Sequence, residues 1–310
     1  MTSPVMSPEA VPTPLAPSLP FRQILDEAVR QARRHFRRIY PYVAIPLVLV
    51  AGTVPLAQGF LYRNTLTGAA GRSDPAFARV MLGFGLFGLA MFAFMVVYGL
   101  SYGAMFAAAT DALAGREISM RRSWGLMVRP RVFGTLVLLG LTVTVGFVLC
   151  VLPGIYLGLI YAFTVPVLVA ESRFGTAAMT RSSELARYNP QRKFDSDPRL
   201  HVFVTVMVGT MLGYMINLLV QLPFILYQQW VVFHDMAGAQ KTDPGEMMAR
   251  LTWVQVPAQM LGMLTNTAVH LYVCFGLALL FFDLKSRKEG LDLEAAVANL
   301  VERHRARRQP

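Results

Sequence analysis

Six apolar runs divide this chain, at about 40–61, 80–108, 132–151, 155–170, 201–227 and 251–282. A helix needs roughly 20 apolar residues to cross a hydrocarbon core of roughly 30 Å, and only the run at 155–170 falls short of that length. With 55% of residues hydrophobic and only 15% charged, a water-facing surface would lack material, since soluble domains carry roughly 25% charged residues. Backbone polar groups in lipid must be satisfied within the chain, so runs of this length read as helices. The expected fold is an all-α integral membrane protein, a six-transmembrane helix bundle.

The distribution of charge orients the expected bundle. With residues 1–39, 111–131, 171–200 and 283–310 on one side, that side holds 24 of the 29 Lys and Arg, and the segments 62–79 and 228–250 hold five. An asymmetry of this size is the positive-inside pattern, and it holds only for an even number of spans. Both termini are therefore expected to be cytoplasmic. The formal charge of +11 then faces anionic lipid, and no zinc-finger spacing, RNA-binding strand or separate recognition helix points to nucleic acid.

Residues 1–20, rich in Pro and without a basic n-region, read as a disordered tail and not as a signal peptide. In 21–39, Phe21, Ile24, Leu25 and Ala28 recur at helical spacing and are followed by Arg30, Arg33, Arg34, Arg37 and Arg38. This predicts a basic interfacial helix whose arginines, Arg33, Arg34, Arg37 and Arg38 above all, anchor on headgroups. Pro46 and Pro55 predict a bent first span, and Gly83, Gly85, Gly88, Gly99 and Gly103 predict close contacts along the second. LPGIY at 152–156 predicts a Pro-Gly turn between the third and fourth spans, and Pro166 predicts that the fourth is shielded by its neighbours. The cytoplasmic connections 111–127 and 171–187 mix apolar residues with Arg and Ser in helical rhythm, so each is expected to form a short amphipathic helix. Residues 283–310 are expected to form a basic cytoplasmic tail.

Polar groups within the spans are the candidate site. Asn266 and His270 share a face of the sixth span at i,i+4, as do Asn217 and Gln221 in the fifth, while Tyr98, Ser101 and Tyr102 supply hydroxyls in the second. Convergence of these sets would build a polar crevice; interhelical packing is the plainer use for them. Glu171 and Asp283 close the fourth and sixth spans beside Arg173, Lys285 and Arg287, and Glu171, Asp283 and Arg287 join the candidate membrane-surface anchors. His234, Asp235, Asp243 and Glu246 read as a polar cap on the opposite side. Cys150 and Cys274 are expected to be small hydrophobes within spans. There is no phosphate-binding loop, HExxH helix or nucleophile elbow, and His35, His201, His234, His270 and His304 are widely separated. No catalytic residue, metal or cofactor is expected.

LPGIYLGLIYAFTVPVLVAES at 152–172, TAAMTRSSELAR at 176–187, LLFFDLKSRKEGLDLE at 279–294 and LDEAVRQARRHFRRIYPYV at 25–43 resemble a bacterial six-span family. That family is related to the membrane domain fused to some glycerophosphoryl diester phosphodiesterases. The resemblance covers most of the chain and rests most on Asp283, Lys285, Arg287, Lys288, Glu289, Gly290 and Asp292. It implies a helical module in the bacterial inner membrane. It does not imply phosphodiesterase chemistry, because the soluble barrel that performs it has no counterpart here. NPQRKFDSDP at 189–198 departs from the family pattern, which has a Trp-containing approach to the next span.

The leading expectation for function is a non-enzymatic inner-membrane accessory or scaffold that organises anionic lipids or an envelope protein partner. The alternative is a transporter or lipid-handling channel, which would require a continuous crevice lined by the polar residues of the second, fifth and sixth spans. An embedded enzyme would require ionisable residues to converge.

Overall fold

The computed structural model describes residues 20–68, 74–188, 197–237 and 244–290. These form α1 (Phe21–Gly68), α2 (Asp74–Leu113), α3 (Met120–Met127), α4 (Pro130–Leu149), α5 (Val151–Ile160), α6 (Thr164–Glu171), α7 (Thr176–Ala186), α8 (Pro198–Ala237) and α9 (Pro244–Glu289). No strand occurs among the described residues. Six helical segments are long and apolar enough to cross a membrane, with α5 and α6 together supplying the fourth. The all-α six-span bundle expected from hydropathy is the observed architecture.

At the centre stands α9. Of the apolar stretch that would cross the bilayer, 72% is buried in α9 and 6% in α2. Along α1, Ile24, Ala28, Ala32 and Ile39 are buried, and Ala28 lies near the position a side chain on Gly276 of α9 would take. Tyr40 donates to the Leu264 carbonyl at 3.1 Å. Beyond Pro46, Gly52 and Gly59 bring α1 close to Met260 and Thr252. On the opposite flank, α8 runs antiparallel to α9, pairing Thr205, Gly209 and Gly213 with Gly276, Val273 and Val269. Lipid gives no hydrophobic reason for two apolar helices to associate, so these small residues are what permit tight van der Waals contact.

Several boundaries differ from expectation. Residues 21–39 are not a separate interfacial element, because α1 continues unbroken from Phe21 through Pro41, Pro46 and Pro55. One face of that segment is packed into the bundle, while Arg33, Arg34, Arg37 and Arg38 stand exposed on another face. At its far end, α9 extends to Glu289, so 283–289 belong to the bundle; the rest of the expected tail, 291–310, and the N-terminal residues 1–19 lie outside the described residues. The turn between α4 and α5 falls on one extended residue, Cys150, while Pro153 and Gly154 lie inside the first turn of α5. Pro is compatible with a first helical turn, where its missing N–H leaves no bond unmade. Cys150 is consequently exposed at the hairpin tip, whereas Cys274 is buried as expected. Of the five glycines in α2, Gly83 meets Leu61 and Gly103 meets Met127, but Gly85, Gly88 and Gly99 have open space around them.

The fourth span is broken at 161–163, and the break is stitched by a side chain from α7. Ser182 Oγ donates to the Ile160 carbonyl at 2.9 Å and accepts from the Phe163 N–H at 3.1 Å. The helix α7 reaches that position because Ser172 (φ 52°) and Gly175 (φ 60°) take left-handed backbone, and the Gly175 N–H donates to Thr135 Oγ1 at 2.7 Å. Both expected amphipathic segments contain a helix, α3 and α7, whose inner faces bury Met120 and Met127 in one and Ala178, Leu185 and Ala186 in the other. Ser182→Ala is expected to cost about 1–3 kcal/mol, because it strands a buried carbonyl and a buried N–H together. Equilibrium unfolding of the variant in micelles measures this, and a change below the scatter of exposed serine variants would remove the stitch.

Candidate functional site

Two features stand out, a polar crevice midway along α8 and α9 and an ion network where α6, α7 and α9 end.

The crevice has a volume of about 270 Å³ and opens laterally between α8 and α9, with Tyr102 of α2 at its edge. Its floor is apolar and low, because Gly209 and Gly213 carry no side chain where α8 faces Val269 and Val273. Polar walls come from Thr210, Tyr214 and Asn217 on one side and from Asn266 and His270 on the other. Thr210 and Tyr214 are exposed on the surface of the bundle, so the opening faces whatever surrounds the helices.

His270 is fixed by two bonds. Its Nδ1 lies 2.8 Å from the backbone carbonyl of Asn266, which can only accept, so Nδ1 carries a proton. In the neutral ring Nε2 is then the acceptor, and the Tyr98 hydroxyl donates to it at 3.1 Å. Tyr102 packs its ring edge-on against the same imidazole with centroids 5.2 Å apart. Both ring nitrogens are thus committed, and the histidine serves to tie α2 to α9.

Other polar side chains of the crevice are uncommitted. Among the described residues, Thr210, Tyr214, Asn217 and Asn266 have no side-chain hydrogen bond, and the Asn217 Oδ1 is buried without a partner. A side chain on Gly262 would stand 3.0 Å from Asn217 Oδ1 and 2.6 Å from Gln221 Nε2, so glycine there is what admits both amides against α9.

Of the seven intramembrane candidates, Tyr102, Asn217, Asn266 and His270 line the crevice, and Tyr98 joins them only through its bond to His270. Gln221 sits one turn beyond Asn217 and does not line the crevice. Ser101 does not join it either: it is fully buried on α2, about 100° round the helix from Tyr102, with Oγ unpartnered. Thr210 and Tyr214 were missed from sequence. Their spacing of seven and three residues before Asn217, respectively, was the available signal.

At the basic end, Glu171 accepts from Arg181 at 3.2 Å and pairs with Lys285 and Arg173 at 3.3 Å each. Lys285 was expected to serve Asp283; it reaches across to Glu171, and Asp283 pairs with Arg287 at 2.9 Å one helical turn on. Arg181 also binds Glu289, and Lys288 bonds Glu184 at 3.2 Å. Arg181 and Glu171 are only 11% and 9% exposed at their side chains, so this is an enclosed clasp and not a set of surface pairs. Burial acts against the Arg181 charge, yet its bonds to Glu171 and the attraction of Glu171 and Glu289 hold the guanidinium above its ordinary range. The hydrogen bond and charge of Lys288 hold Glu184 below the usual carboxylate range. That contribution is present above the ordinary value of about 4.3 and is lost as pH falls through the lowered folded value. Arg181, Glu184, Lys288 and Glu289 were not among the sequence candidates.

On the other side of the bundle, His234 stacks on Trp230 with ring centroids 4.9 Å apart, while Asp235, Asp243 and Glu246 lie outside the residues whose side chains are described. No group of three His, Cys, Asp or Glu side chains suited to a metal ion occurs among the described residues.

Comparison with protein-family models, with curated proteins and with solved structures gives no match to this chain.

Proposed function

We propose that this protein handles amphiphiles without chemistry on them, admitting the polar end of one from the bilayer into the lateral crevice between α8 and α9. The observation that carries this reading is the set of uncommitted polar groups, Thr210, Tyr214, Asn217 and Asn266, around an open crevice in the middle of apolar helices. Unsatisfied polar groups in hydrocarbon each cost several kcal/mol, and a bound amphiphile supplies the missing partners. The residues gathered there lack the oriented base and nucleophile that an enzyme needs.

The chain is assigned to a bacterial inner membrane with both termini cytoplasmic, on the strength of its 24-to-5 division of Lys and Arg. The resemblance to the membrane domain of the phosphodiesterase-linked family agrees with that location. Exposed Arg33, Arg34, Arg37 and Arg38 suit anionic headgroups on the same side. A second reading, an accessory or scaffold protein for an envelope partner, draws on the clasp of α6, α7 and α9, which holds a rigid shelf at the basic end.

Native mass spectrometry of the protein extracted gently from its own membrane tests the proposal. One amphiphile per chain is expected in the wild type and in Gly213→Ala, whose Cβ would make an ordinary 3.4 Å contact with Val269. It is expected to be lost in Gly213→Leu, which fills the crevice. Equal retention in Gly213→Leu would sink the reading, and a protein partner at fixed stoichiometry on lipid-free protein would move it to the scaffold.

A further inference from the structure

The ligand of the crevice is defined by what the walls lack as well as by what they carry. Resting on the lipid-handling reading above, we infer that the site takes the glycerol end of an uncharged lipid with a free hydroxyl, a lipid of the diacylglycerol class.

Charge is the first discriminator. No Asp, Glu, Lys or Arg occurs between Arg79 and Asp111 in α2, between Arg199 and Asp235 in α8, or between Arg250 and Asp283 in α9. Phosphate is recognised by charge-assisted bonds from Arg or Lys, and burying it without them is prohibitive. His270 does not substitute for them, because both its nitrogens are engaged. A phospholipid headgroup therefore has no counter-charge at this depth, whereas a neutral one needs none.

Hydrogen-bonding capacity is the second. The Thr210 and Tyr214 hydroxyls and the amide N–H groups of Asn217 and Asn266 are donors that suit ester carbonyl oxygens. Asn266 Oδ1, 3.7 Å from where a Cβ on the crevice-lining Gly213 would stand, is an acceptor at the crevice and calls for a hydroxyl proton. A fully esterified lipid supplies carbonyls and no hydroxyl. A diacylglycerol supplies both within one glycerol unit.

Size is the third. A crevice of about 270 Å³ lies below the roughly 300–1,000 Å³ of pockets that enclose a drug-sized ligand. It holds a headgroup, and the acyl chains stay outside, along the exposed apolar flank of α8 that includes Val206 and Leu218.

The test uses the full chain in nanodiscs, labelled by a photoactivatable diacylglycerol in competition with dioleoylglycerol, its O-acetyl derivative or dioleoyl-phosphatidylglycerol. Dioleoylglycerol is expected to compete about tenfold better than the other two, the effect of one or two buried hydrogen bonds. Asn266→Leu, which keeps the backbone carbonyl that holds His270, is expected to abolish that preference while retaining its helical circular dichroism. If phosphatidylglycerol or the acetylated lipid competes equally well, and Gly213→Leu still removes the label from α8 and α9, the lipid class is wrong and lipid handling stands. If the label maps outside α8 and α9, or Gly213→Leu leaves it in place, the crevice reading itself fails.

Discussion

Gly154→Leu is expected to lower the folded, monodisperse yield of detergent-solubilised protein several-fold, while Gly158→Leu, one turn later on α5, stays near wild type. Any Cβ on Gly154 would land in the ring of Phe147, and the Gly154 Cα would lie 3.0 Å from a Cβ on Gly146. Gly158 has nothing within 4 Å. Both substitutions carry the same gain in helix propensity, so their difference isolates the close approach of α4 and α5. Overpacking costs about 1–3 kcal/mol when side chains can shift, and the obstacle here is the Phe147 ring down to its Cγ, the end nearest its own backbone. Because Cys150 is the whole connection, the hairpin has no loop in which to absorb a displacement. Comparable yields from the two variants would show that the hairpin is not held by this contact.

Glu171→Gln is expected to lower the thermal midpoint of the purified protein markedly and to release amide protection across α7. The carboxylate is the common partner of Arg173, Arg181 and Lys285, so its neutralisation leaves an 11%-exposed guanidinium with only Glu289 and Glu184. Removing one partner of a buried pair costs about 3–5 kcal/mol, and the surviving acidic partners place this case at the low end. An exposed pair supplies the control, since Arg30, which bonds Glu27, is 77% exposed at its side chain. Arg30→Gln is expected to be nearly silent, because surface pairs contribute about 0–1 kcal/mol. Hydrogen exchange distinguishes local from global loss: α7 should open first, carrying the Ser182 stitch away from the break in the fourth span. Equal midpoints for Glu171→Gln and Arg30→Gln would show that the clasp is not structural.

Much of the candidate site was legible because polar residues are rare in the spans and their helical spacing can be counted. Asn266 with His270, and Asn217 with Gln221 on the facing helix, were visible in this way, and both pairs face the seam between α8 and α9. Thr210 and Tyr214 were not, since a threonine or tyrosine in an apolar helix is common and its direction depends on which neighbour the helix meets. Ser101 shows the converse error: its proximity in sequence to Tyr98 and Tyr102 put it with them, although the helix turns it to another face. The clasp was half legible. Glu171 was named as a span terminus, but its partners Arg181 and Lys285 come from elements ten and more than a hundred residues away in the chain.

By itself the sequence determined the class of the molecule and the number of its apolar helices, because lipid imposes a one-dimensional rule. A segment either satisfies its backbone internally and presents an apolar surface over about 20 residues or it does not belong there. Only the tertiary structure decided that α9 is central, that the fourth span breaks beneath Ser182, and that the glycines of α8 and α9 form a seam while three of those in α2 do not. The physical reason is that hydrocarbon solvates every apolar face alike. Which faces meet depends on small residues that allow approach and on hydrogen bonds that reward it, and both are properties of two helices together.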